Sequence, residues 1–389
     1  MTGALSAMQL DYPDTPVGVY SAAGVLRRLP ELLDRLGLER PLLVCGPRVR
    51  RLAQVMSLVE VGLFAAAYAE VEPDPSDVTV ARAGRLAGEI GADGLVAIGG
   101  GSSLDAAKAV AAEAAALGWI AGCDQPGVPT QVPDGVLPLV AVPTTAGTGS
   151  EVTPFSVITF TATHRKLVLN HPALLPRVAL LDPTLLATAP RETRVAAGMD
   201  ALTHAVESYL SKQAIDATRA RSLEAVAGIA AHLPGAAQDS PLLDDLAGMQ
   251  IAALVAGLAF SRTRLGIVHA LALPLSALFA VPHGVANAIL LPHGMAFNLP
   301  AAPAALGNLG RLLFVPSSES EEKARPEAAV IAVQELARRI GAPARMRDVG
   351  VDRGALPRMA QDALLSAHLA VNPRPVELAD LVAVYEEAW

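Results

Sequence analysis

The sequence predicts an α/β domain with a mostly parallel sheet over residues 1–187, followed by an all-helical domain over residues 188–389. The length of 389 residues exceeds the usual size of one domain. Apolar strand-like segments alternate with amphipathic helical segments up to about residue 184, which is typical of βαβ units. Beyond that point nearly every segment is rich in Ala and Leu at helical spacing, and strand-like runs almost disappear.

The predicted elements of the first domain follow one another in regular alternation. Short apolar runs bounded by Gly, Pro or Asp indicate strands, and longer amphipathic runs indicate helices. Strands are expected at 41–46, 64–71, 94–101, 137–145, 166–170 and 177–183, and helices at 23–37, 49–62, 76–91 and 103–118. In the second domain, the acidic stretch 317–328 is expected to be a charged surface loop or the start of a helix.

Composition excludes several classes of protein. The net charge of -8, without any basic run, argues against nucleic-acid binding. Uninterrupted apolar stretches such as 251–260 are shorter than the roughly 20 residues that span a bilayer. The first residues carry no basic group before the apolar ones, so no secretory signal is expected. Only Cys45 and Cys123 occur, so a disulfide framework is not expected and a cytoplasmic location is predicted.

A glycine-rich turn at 96–111 is the clearest ligand motif. An apolar strand runs into Gly99, Gly100 and Gly101, and a helix is expected to begin at the following serines. Glycine lets backbone N–H groups approach a phosphate closely, and the first turn of a helix adds N–H donors with partial positive charge. The motif therefore predicts a cofactor phosphate site, although a plain strand-to-helix turn with a Ser cap has the same signature.

A second loop, at 141–156, carries small hydroxyl side chains. Thr144, Thr145, Thr148 and Ser150 follow another predicted strand. These hydroxyls suit the sugar and phosphate oxygens of a cofactor, although Thr and Ser also satisfy their own loops. Because both loops follow neighbouring predicted strands, one shared crevice is expected.

Four residues in the second domain suggest a metal site. Asp200 and His204 are four residues apart, so they share one face of a helix. His269 and His283 lie in strongly apolar segments, where an unpaired imidazole is costly. One carboxylate and three imidazoles suit Fe²⁺ or Zn²⁺ and leave a position for a substrate oxygen. The spacing is equally compatible with satisfied core histidines and a surface pair.

These motifs resemble those of the iron-containing (group III) alcohol dehydrogenase family from about residue 15 to the C-terminus. The matching stretches are GGGSSLDAAK, PTTAGTGSE, GMDALTHAVESY, GIVHALALPL, VPHGVANAILLPHGMAFN and NPRPVE. The resemblance implies a dinucleotide-binding first domain, a helical second domain and a site in the cleft between them. It implies metal ligands at Asp200, His204, His269 and His283. It implies cofactor contacts at Gly46, Asp74, Gly100, Gly101, Ser102, Asp105, Thr144, Thr145, Thr148 and Lys166.

The function implied is a metal-dependent, NAD(P)-linked alcohol dehydrogenase or aldehyde reductase that transfers hydride between nicotinamide and a small alcohol or aldehyde. The cofactors would be Fe²⁺, or Zn²⁺, with NADP(H) or NAD(H), and a homodimer is common in similar proteins. Two alternatives remain: a reductase of oxoacids like the maleylacetate reductases, and a catalytically silent nucleotide-binding scaffold.

Two positions depart from the family pattern. Many members carry an acidic residue where this chain has Gly46, followed here by Arg48, Arg50 and Arg51. A carboxylate repels a 2′-phosphate and arginine attracts it, so NADP(H) is favoured over NAD(H). Several members also carry a histidine at the position of Leu273, so the proton-relay role assigned to it does not transfer to this chain.

Overall fold

The computed structural model describes residues 5, 8–124, 131–163, 165–313 and 325–389. The chain forms two compact units. The first contains Met1–Thr145 and Ser150–Thr188, and the second contains Ala146–Gly149 and Ala189–Trp389. The segment Ala146–Gly149 thus belongs with the helical unit, although it lies inside the first predicted domain.

The first unit is built on a seven-stranded sheet, with strand order β1-β2-β9-β6-β5-β3-β4, and a separate hairpin of β7 and β8. Only β1 is antiparallel within the sheet; the other neighbouring strands are parallel. The strands are β1 Gln9–Leu10, β2 Gly18–Ser21, β3 Pro41–Cys45, β4 Ala66–Tyr68, β5 Gly94–Gly99, β6 Leu139–Pro143, β7 Phe155–Phe160, β8 Arg165–Asn170 and β9 Val178–Leu181. The predicted mostly parallel sheet is confirmed.

Helices cover both faces of this sheet, which explains why its central strands are apolar without alternation. In β5, Leu95 and Ala97 face one apolar core, whereas Val96 and Ile98 face the other. The helices of this unit are α1 Leu29–Leu36, α2 Ala53–Glu60, α3 Asp77–Glu89, α4 Gly101–Ala115, α5 Trp119–Gly122 and α6 Pro183–Leu186. Short 3₁₀ turns occur at Val25–Arg28, Val49–Arg51, Ser150–Val152 and Pro172–Leu174.

The predicted strand 166–170 belongs to the hairpin and not to the main sheet. It pairs with Phe155–Phe160, which the sequence analysis left partly inside a Thr-rich loop. The side chains of β7 alternate between buried and half-buried, as expected for a strand with one covered face. The short strands β1, at the edge of the sheet, and β2, next to it, were also missed.

The second unit is helical, and the described residues of 189–389 contain no strand. Its helices are α7 Arg191–Leu210, α8 Asp216–Ala236, α9 Leu243–Thr263, α10 Ile267–Phe279, α11 His283–Asn298, α12 Pro303–Leu313, α13 Pro326–Ile340, α14 Leu356–Leu364 and α15 Leu378–Ala388. Further 3₁₀ turns lie at Met346–Val349, Arg353–Ala355 and Ala367–Val371. Of the predicted acidic stretch 317–328, residues 317–324 lie outside the described part of the chain, and α13 begins within its last residues.

Helix α9 is longer than its uninterrupted apolar run suggested. By length and composition, Leu243–Thr263 is the one described helix that could cross a bilayer. Two thirds of its most apolar window is buried, however, and it packs against α7 and α8. Burial of this kind is what a central helix of a folded bundle shows.

A buried polar cluster joins α4 to the start of the hairpin in the first unit. The Lys108 ammonium donates hydrogen bonds to Ser150 Oγ at 2.7 Å and to the Phe155 carbonyl at 2.6 Å. Ser150 Oγ donates in turn to Asp105 Oδ1 at 2.6 Å. Burial lowers the pKa of Lys108 to about 8. Burial also raises the pKa of Glu151 to about 7, against the opposing effects of its backbone and of Lys108.

Glu151 should make the protein less stable as the pH rises. Its carboxyl group holds a proton in the folded state up to about pH 7, whereas in the unfolded chain it ionises near its ordinary pKa of 4.5. Between these values the folded state binds more protons, so the free energy of unfolding falls with rising pH. We expect the apparent melting temperature to drop between pH 5 and pH 8 by on the order of 5 °C more in the wild type than in Glu151→Gln.

The matched control is Glu89→Gln, which changes an exposed carboxylate of the same unit. It should retain the wild-type pH dependence. Identical pH profiles for the wild type and Glu151→Gln would contradict the assignment.

Candidate functional site

The glycine-rich turn and the start of the Thr-rich loop, up to Thr145, lie side by side in the first unit. Strand β5 pairs with β6 in parallel, with Gly99 opposite Pro143. The Thr144 N–H donates to the Gly99 carbonyl at 2.9 Å. Gly100 is the N-cap of α4, and a Cβ there would lie 3.3 Å from Thr145 Oγ1. The carboxyl ends of two parallel strands and a helix N-terminus therefore meet at one place, where a dinucleotide phosphate is well accommodated.

Asp74, Ser102 and Lys166 form a polar group near the first turn of α4. Asp74 has a φ of 54°, and its backbone N–H donates to Ser102 Oγ at 3.3 Å. Its carboxylate pairs with the Lys166 ammonium at 2.8 Å. The chain thus brings together three predicted cofactor residues that are far apart in sequence.

Three other predicted cofactor residues, Asp105, Thr148 and Gly46, lie apart from this polar group. The Asp105 carboxylate accepts hydrogen bonds from Ser150 Oγ and the Val157 N–H, at 2.6 and 2.9 Å, so it is occupied by the chain itself. Thr148 belongs to the second unit. Gly46 directly follows β3, and a Cβ there would lie 3.1 Å from the Val71 carbonyl oxygen.

Three of the four predicted metal ligands, Asp200, His269 and His283, bring donor atoms within 4.8 Å of one another in the second unit, and His204 approaches Asp200 from the same helix. Asp200 and His204 lie on consecutive turns of α7, with His204 Nε2 3.8 Å from Asp200 Oδ1. His269 Nε2 and His283 Nε2, from α10 and α11, lie 3.8 and 3.7 Å from the same oxygen. Donors about 2.1 Å from a shared cation are roughly 3.4 Å apart in tetrahedral geometry, so small inward movements would complete such a site.

The tautomers of two histidines are fixed for metal binding. His269 Nδ1 lies 2.6 Å from Glu207 Oε2, so this nitrogen carries the proton and Nε2 presents its lone pair. His204 Nδ1 lies 3.2 Å from the Gly147 carbonyl oxygen, which has the same effect on its own Nε2. The His204 ring is also stacked on Phe260, with ring centroids 4.4 Å apart.

Gly147 reaches His204 because its segment lies directly on the helices of this unit. A Cβ at Gly147 would lie 2.9 Å from Ala197 of α7. At Gly149, which has a φ of 60°, a Cβ would lie 2.7 Å from Gly257 of α9. Only glycine permits this approach. The TAGTG motif, which was interpreted as a cofactor loop, therefore contacts and orients His204, a candidate metal ligand.

Asn287 occupies the centre of the ligand set. Its amide nitrogen donates to Asp200 Oδ1 at 2.6 Å and lies 3.1 Å from His283 Nε2 and 3.3 Å from His269 Nε2. Its buried amide oxygen has no hydrogen-bond partner among the described residues. An electropositive N–H group thus contacts three of the four donor atoms and stands in for a cation there. The chemistry of the donor set fits a divalent metal ion.

The electrostatics of the site suit metal ligands. Burial lowers the pKa of both His204 and His269, so their rings are neutral and able to coordinate. Burial alone would raise the pKa of Asp200, but the neighbouring imidazoles outweigh it and lower that pKa. The His283 side chain keeps 36% of its surface exposed, so the site is open on that side.

Glu207 and Asn287 were not singled out from the sequence, although a signal exists for both. Asp200, His204 and Glu207 follow the spacing i, i+4, i+7, and Asn287 follows His283 by four residues. Both spacings place the side chains on the face that carries the ligands. The NPRPVE motif also gains a role, because Asn372 Oδ1 accepts from the Ile267 N–H at 3.2 Å and holds the start of α10.

Comparisons with known proteins agree over almost the whole chain. Residues 16–183 match the model of iron-containing alcohol dehydrogenases, and residues 194–389 match the C-terminal model of the same family. The lactaldehyde reductase of Escherichia coli (strain K12) is 36% identical over 380 residues, covering 94% of this chain and 96% of that protein. The NAD-dependent methanol dehydrogenase of Bacillus methanolicus is 32% identical over 369 residues, covering 94% and 96%. A solved structure of 1,3-propanediol oxidoreductase, 34% identical, superposes with a TM-score of 0.88 over 95% of this chain and 97% of that one.

Glu207→Gln should weaken metal binding by about 10- to 100-fold, the range found when the partner of a ligating histidine is changed. A neutral amide stabilises the Nδ1–H tautomer of His269 less than a carboxylate does. Competition with a chromophoric chelator gives the dissociation constants for Fe²⁺ and Zn²⁺. The control, Glu192→Gln, changes an exposed carboxylate of the same helix and should bind metal like the wild type. Equal affinities for the two variants would contradict the role of Glu207.

Proposed function

Because the chain belongs to the iron-containing alcohol dehydrogenase family, we propose that it oxidises small alcohols and reduces the matching aldehydes with a divalent metal and a nicotinamide cofactor. It is an oxidoreductase that acts on CH–OH groups, as its named relatives are. The observation that carries the proposal is the convergence of four metal-binding side chains, two of them already held in the required tautomer.

The metal ligands in this proposal are Asp200, His204, His269 and His283. When bound, a divalent metal supplies Lewis-acid polarisation of the substrate oxygen, and a nicotinamide ring supplies or accepts hydride. Asp200 would contribute the carboxylate of the ligand set, and the other three donors would be imidazole nitrogens. Glu207 and Gly147 hold two of these rings in orientation through their Nδ1–H groups. The family name favours Fe²⁺, although the same donors bind Zn²⁺.

The cofactor residues in this proposal are the strand-end and helix-start groups Gly100, Gly101, Ser102, Thr144 and Thr145, with Asp74 and Lys166 beside them. This assignment is supported by the carboxyl ends of β5 and β6, which lie beside the N-terminus of α4 in the first unit. Backbone N–H groups of the α4 start would bind the phosphates, and the hydroxyls would bind the sugars. For Asp105 and Thr148 the support is the family resemblance alone.

The preference for NADP(H) remains a proposal. Gly46 leaves no carboxylate at the end of β3, and Arg50 and Arg51 follow within a 3₁₀ turn. Arg48 is less available, because its guanidinium donates to the Thr188 carbonyl at 2.6 Å. A relative named as NAD-dependent shows that the other preference also occurs in similar proteins.

The proposal also covers the substrates, the domain division, the oligomeric state and the location of the enzyme. We propose small alcohols and aldehydes as substrates because relatives are named for lactaldehyde, methanol and 1,3-propanediol. The division into domains 1–187 and 188–389, the homodimer and the cytoplasmic location are proposed on the sequence and the family resemblance.

Asp200→Ala should abolish metal binding and turnover while leaving nucleotide binding intact. The substitution removes the only carboxylate of the ligand set, and the glycine-rich turn, Thr144 and Thr145 belong to the other unit. Elemental analysis, NAD(P)H oxidation with a panel of small aldehydes, and NAD(P)H fluorescence titration measure the three properties. Asp244→Ala, an exposed acidic residue at the start of α9, is the control. Full turnover by metal-free Asp200→Ala protein would rule out the proposed site.

Gly46→Asp should shift the enzyme from NADP(H) towards NAD(H). A carboxylate at this position would repel the 2′-phosphate and accept a hydrogen bond from a free 2′-hydroxyl. We expect the ratio of kcat/KM for NADPH to that for NADH to fall by about 10-fold or more, which corresponds to roughly 1.4 kcal/mol.

Gly46→Ala is the matched control, because it meets the Val71 carbonyl in the same way but adds no charge. It should change both values of kcat/KM together. A ratio that is the same in Gly46→Ala and Gly46→Asp would show that position 46 does not set the cofactor preference.

A further inference from the structure

We propose that Lys108 is a positioning residue for the nicotinamide cofactor, because its buried ammonium attaches the far end of the Thr-rich loop to α4, the helix proposed to bind the cofactor phosphates. The inference rests on the proposed function, since it concerns the cofactor site of the same enzyme. Lys108 is the last residue of the GGGSSLDAAK motif. Neither the family resemblance nor the metal site gives this residue a role.

The Lys108 side chain is completely buried. It has 0% of its surface exposed, and it lies two turns beyond Gly101, the first residue of α4. Lysine is almost never fully buried unless it is paired, because removing an ammonium group from water is costly. The contacts of its Nζ atom therefore indicate what the fold gains from this position.

The hydrogen bonds of the Lys108 ammonium lead to the far end of the Thr-rich loop and to the strand that follows it. It donates to Ser150 Oγ at 2.7 Å and to the Phe155 carbonyl oxygen, at the start of β7, at 2.6 Å. Asp105, one turn earlier on α4, lies 3.9 Å from the ammonium and accepts from Ser150 Oγ at 2.6 Å. Its second oxygen accepts from the Val157 N–H at 2.9 Å. An ammonium and a carboxylate of one helix thus hold the same segment of the chain.

The near end of the Thr-rich loop is attached at the proposed phosphate site. There the Thr144 N–H donates to the Gly99 carbonyl at 2.9 Å, and Gly100 is the N-cap of α4. With Ser150 held by Lys108, both ends of the hydroxyl-rich stretch are attached to the elements that carry the glycine-rich turn. Holding both ends limits the conformations of the loop before the cofactor binds, so binding requires less ordering.

A charged donor is needed at position 108 because the group faces buried carboxylates. Asp105 and Glu151 are the residues whose charges act on the Lys108 ammonium. Without Lys108, the Phe155 carbonyl oxygen and Ser150 Oγ would lose their donor, and Asp105 would lose its cation. Removing one partner of a buried ion pair leaves the other uncompensated, which is strongly unfavourable. We therefore expect the far end of the loop to separate from α4 when Lys108 is replaced.

The test measures cofactor binding without turnover, by NAD(P)H fluorescence titration of the metal-loaded protein. Lys108→Met removes the charge and keeps the length of the side chain, whereas Ser150→Ala removes only the hydroxyl between Lys108 and Asp105. We expect the dissociation constant to rise by about 10-fold or more in Lys108→Met. In Ser150→Ala it should rise by about 3- to 10-fold, the contribution of one hydrogen bond. Ser150→Thr keeps the hydroxyl and should recover most of the affinity.

Steady-state kinetics distinguish positioning of the cofactor from damage to the metal site. In both weakened variants KM for NAD(P)H should rise together with the dissociation constant. The value of kcat at saturating cofactor should change by less than about 3-fold. Metal content should stay at the wild-type value, because the four candidate ligands belong to the other unit.

Glu113→Gln is the matched control, because Glu113 is also a buried charged residue of α4. Its carboxylate accepts from the Gly118 and Ile120 N–H groups at 2.7 and 2.8 Å, near the C-terminal end of that helix. Both Glu113→Gln and Lys108→Met should lower the melting temperature, but Glu113→Gln should bind NAD(P)H like the wild type.

An equal loss of cofactor affinity in Glu113→Gln and Lys108→Met would show that Lys108 acts through stability alone, and would overturn the proposal. Wild-type affinity in Ser150→Ala would also overturn it, and this variant decides the question if Lys108→Met does not fold.

Cofactor binding also separates this inference from the proposed function. If the wild type binds NAD(P)H but turns over no alcohol or aldehyde, the proposed function fails, and weaker binding by Lys108→Met still supports the role of Lys108. If the wild type is active and Lys108→Met binds the cofactor equally well, the proposed function stands and the role of Lys108 is refuted. A wild type that binds no NAD(P)H would overturn both.

Discussion

The cost of burying polar side chains inside an apolar bundle is the constraint on which the second unit depends. Asp200, His204 and His269 are almost fully removed from solvent, and their donor atoms lie close to one another. An ionised carboxylate in such a place is tolerated only when it is paired and hydrogen-bonded. The chain supplies an amide N–H from Asn287 and three imidazole edges, and the donor set suits a cation. Three helices, α7, α10 and α11, are thereby joined at one point by polar contacts.

Contacts from Glu207, Gly147 and Phe260 orient the imidazole rings of His269 and His204. Glu207 accepts from His269 Nδ1 and also from the Val268 N–H at 2.6 Å, so one carboxylate both orients a ring and caps the first turn of α10. Glu207 therefore fixes both the start of α10 and the nitrogen of His269 that carries the proton. The same logic applies to His204, whose ring is held between the Gly147 carbonyl and the face of Phe260. Protein contacts thus orient both rings, which reduces the ordering that metal binding requires.

Much of the fold follows from sequence pattern because the central strands are buried on both faces and read as continuous apolar runs. The change near residue 184, from alternating strands and helices to helices alone, was also evident from the sequence pattern. The strand Phe155–Phe160 was missed because it follows directly on a loop rich in Thr and Gly, so its partner at 166–170 was predicted as a strand but not as half of a hairpin. The candidate metal ligands were predicted from residue type together with resemblance. The contact between His204 and Gly147, 57 residues apart in the chain, depends on tertiary packing that no local pattern encodes.

Because Ala146–Gly149 belongs to the helical unit, a single cut near residue 188 does not separate the two units. A polypeptide cut at the visible change of character, such as 189–389, would contain all four candidate ligands but not the carbonyl that fixes His204. It would also expose the surfaces of Ala197 and Gly257 that this short segment covers. A protein consisting of the helical half alone would therefore have a groove where Ala146–Gly149 normally lies. A chimaera with another family member would need to exchange these four residues together with the helices.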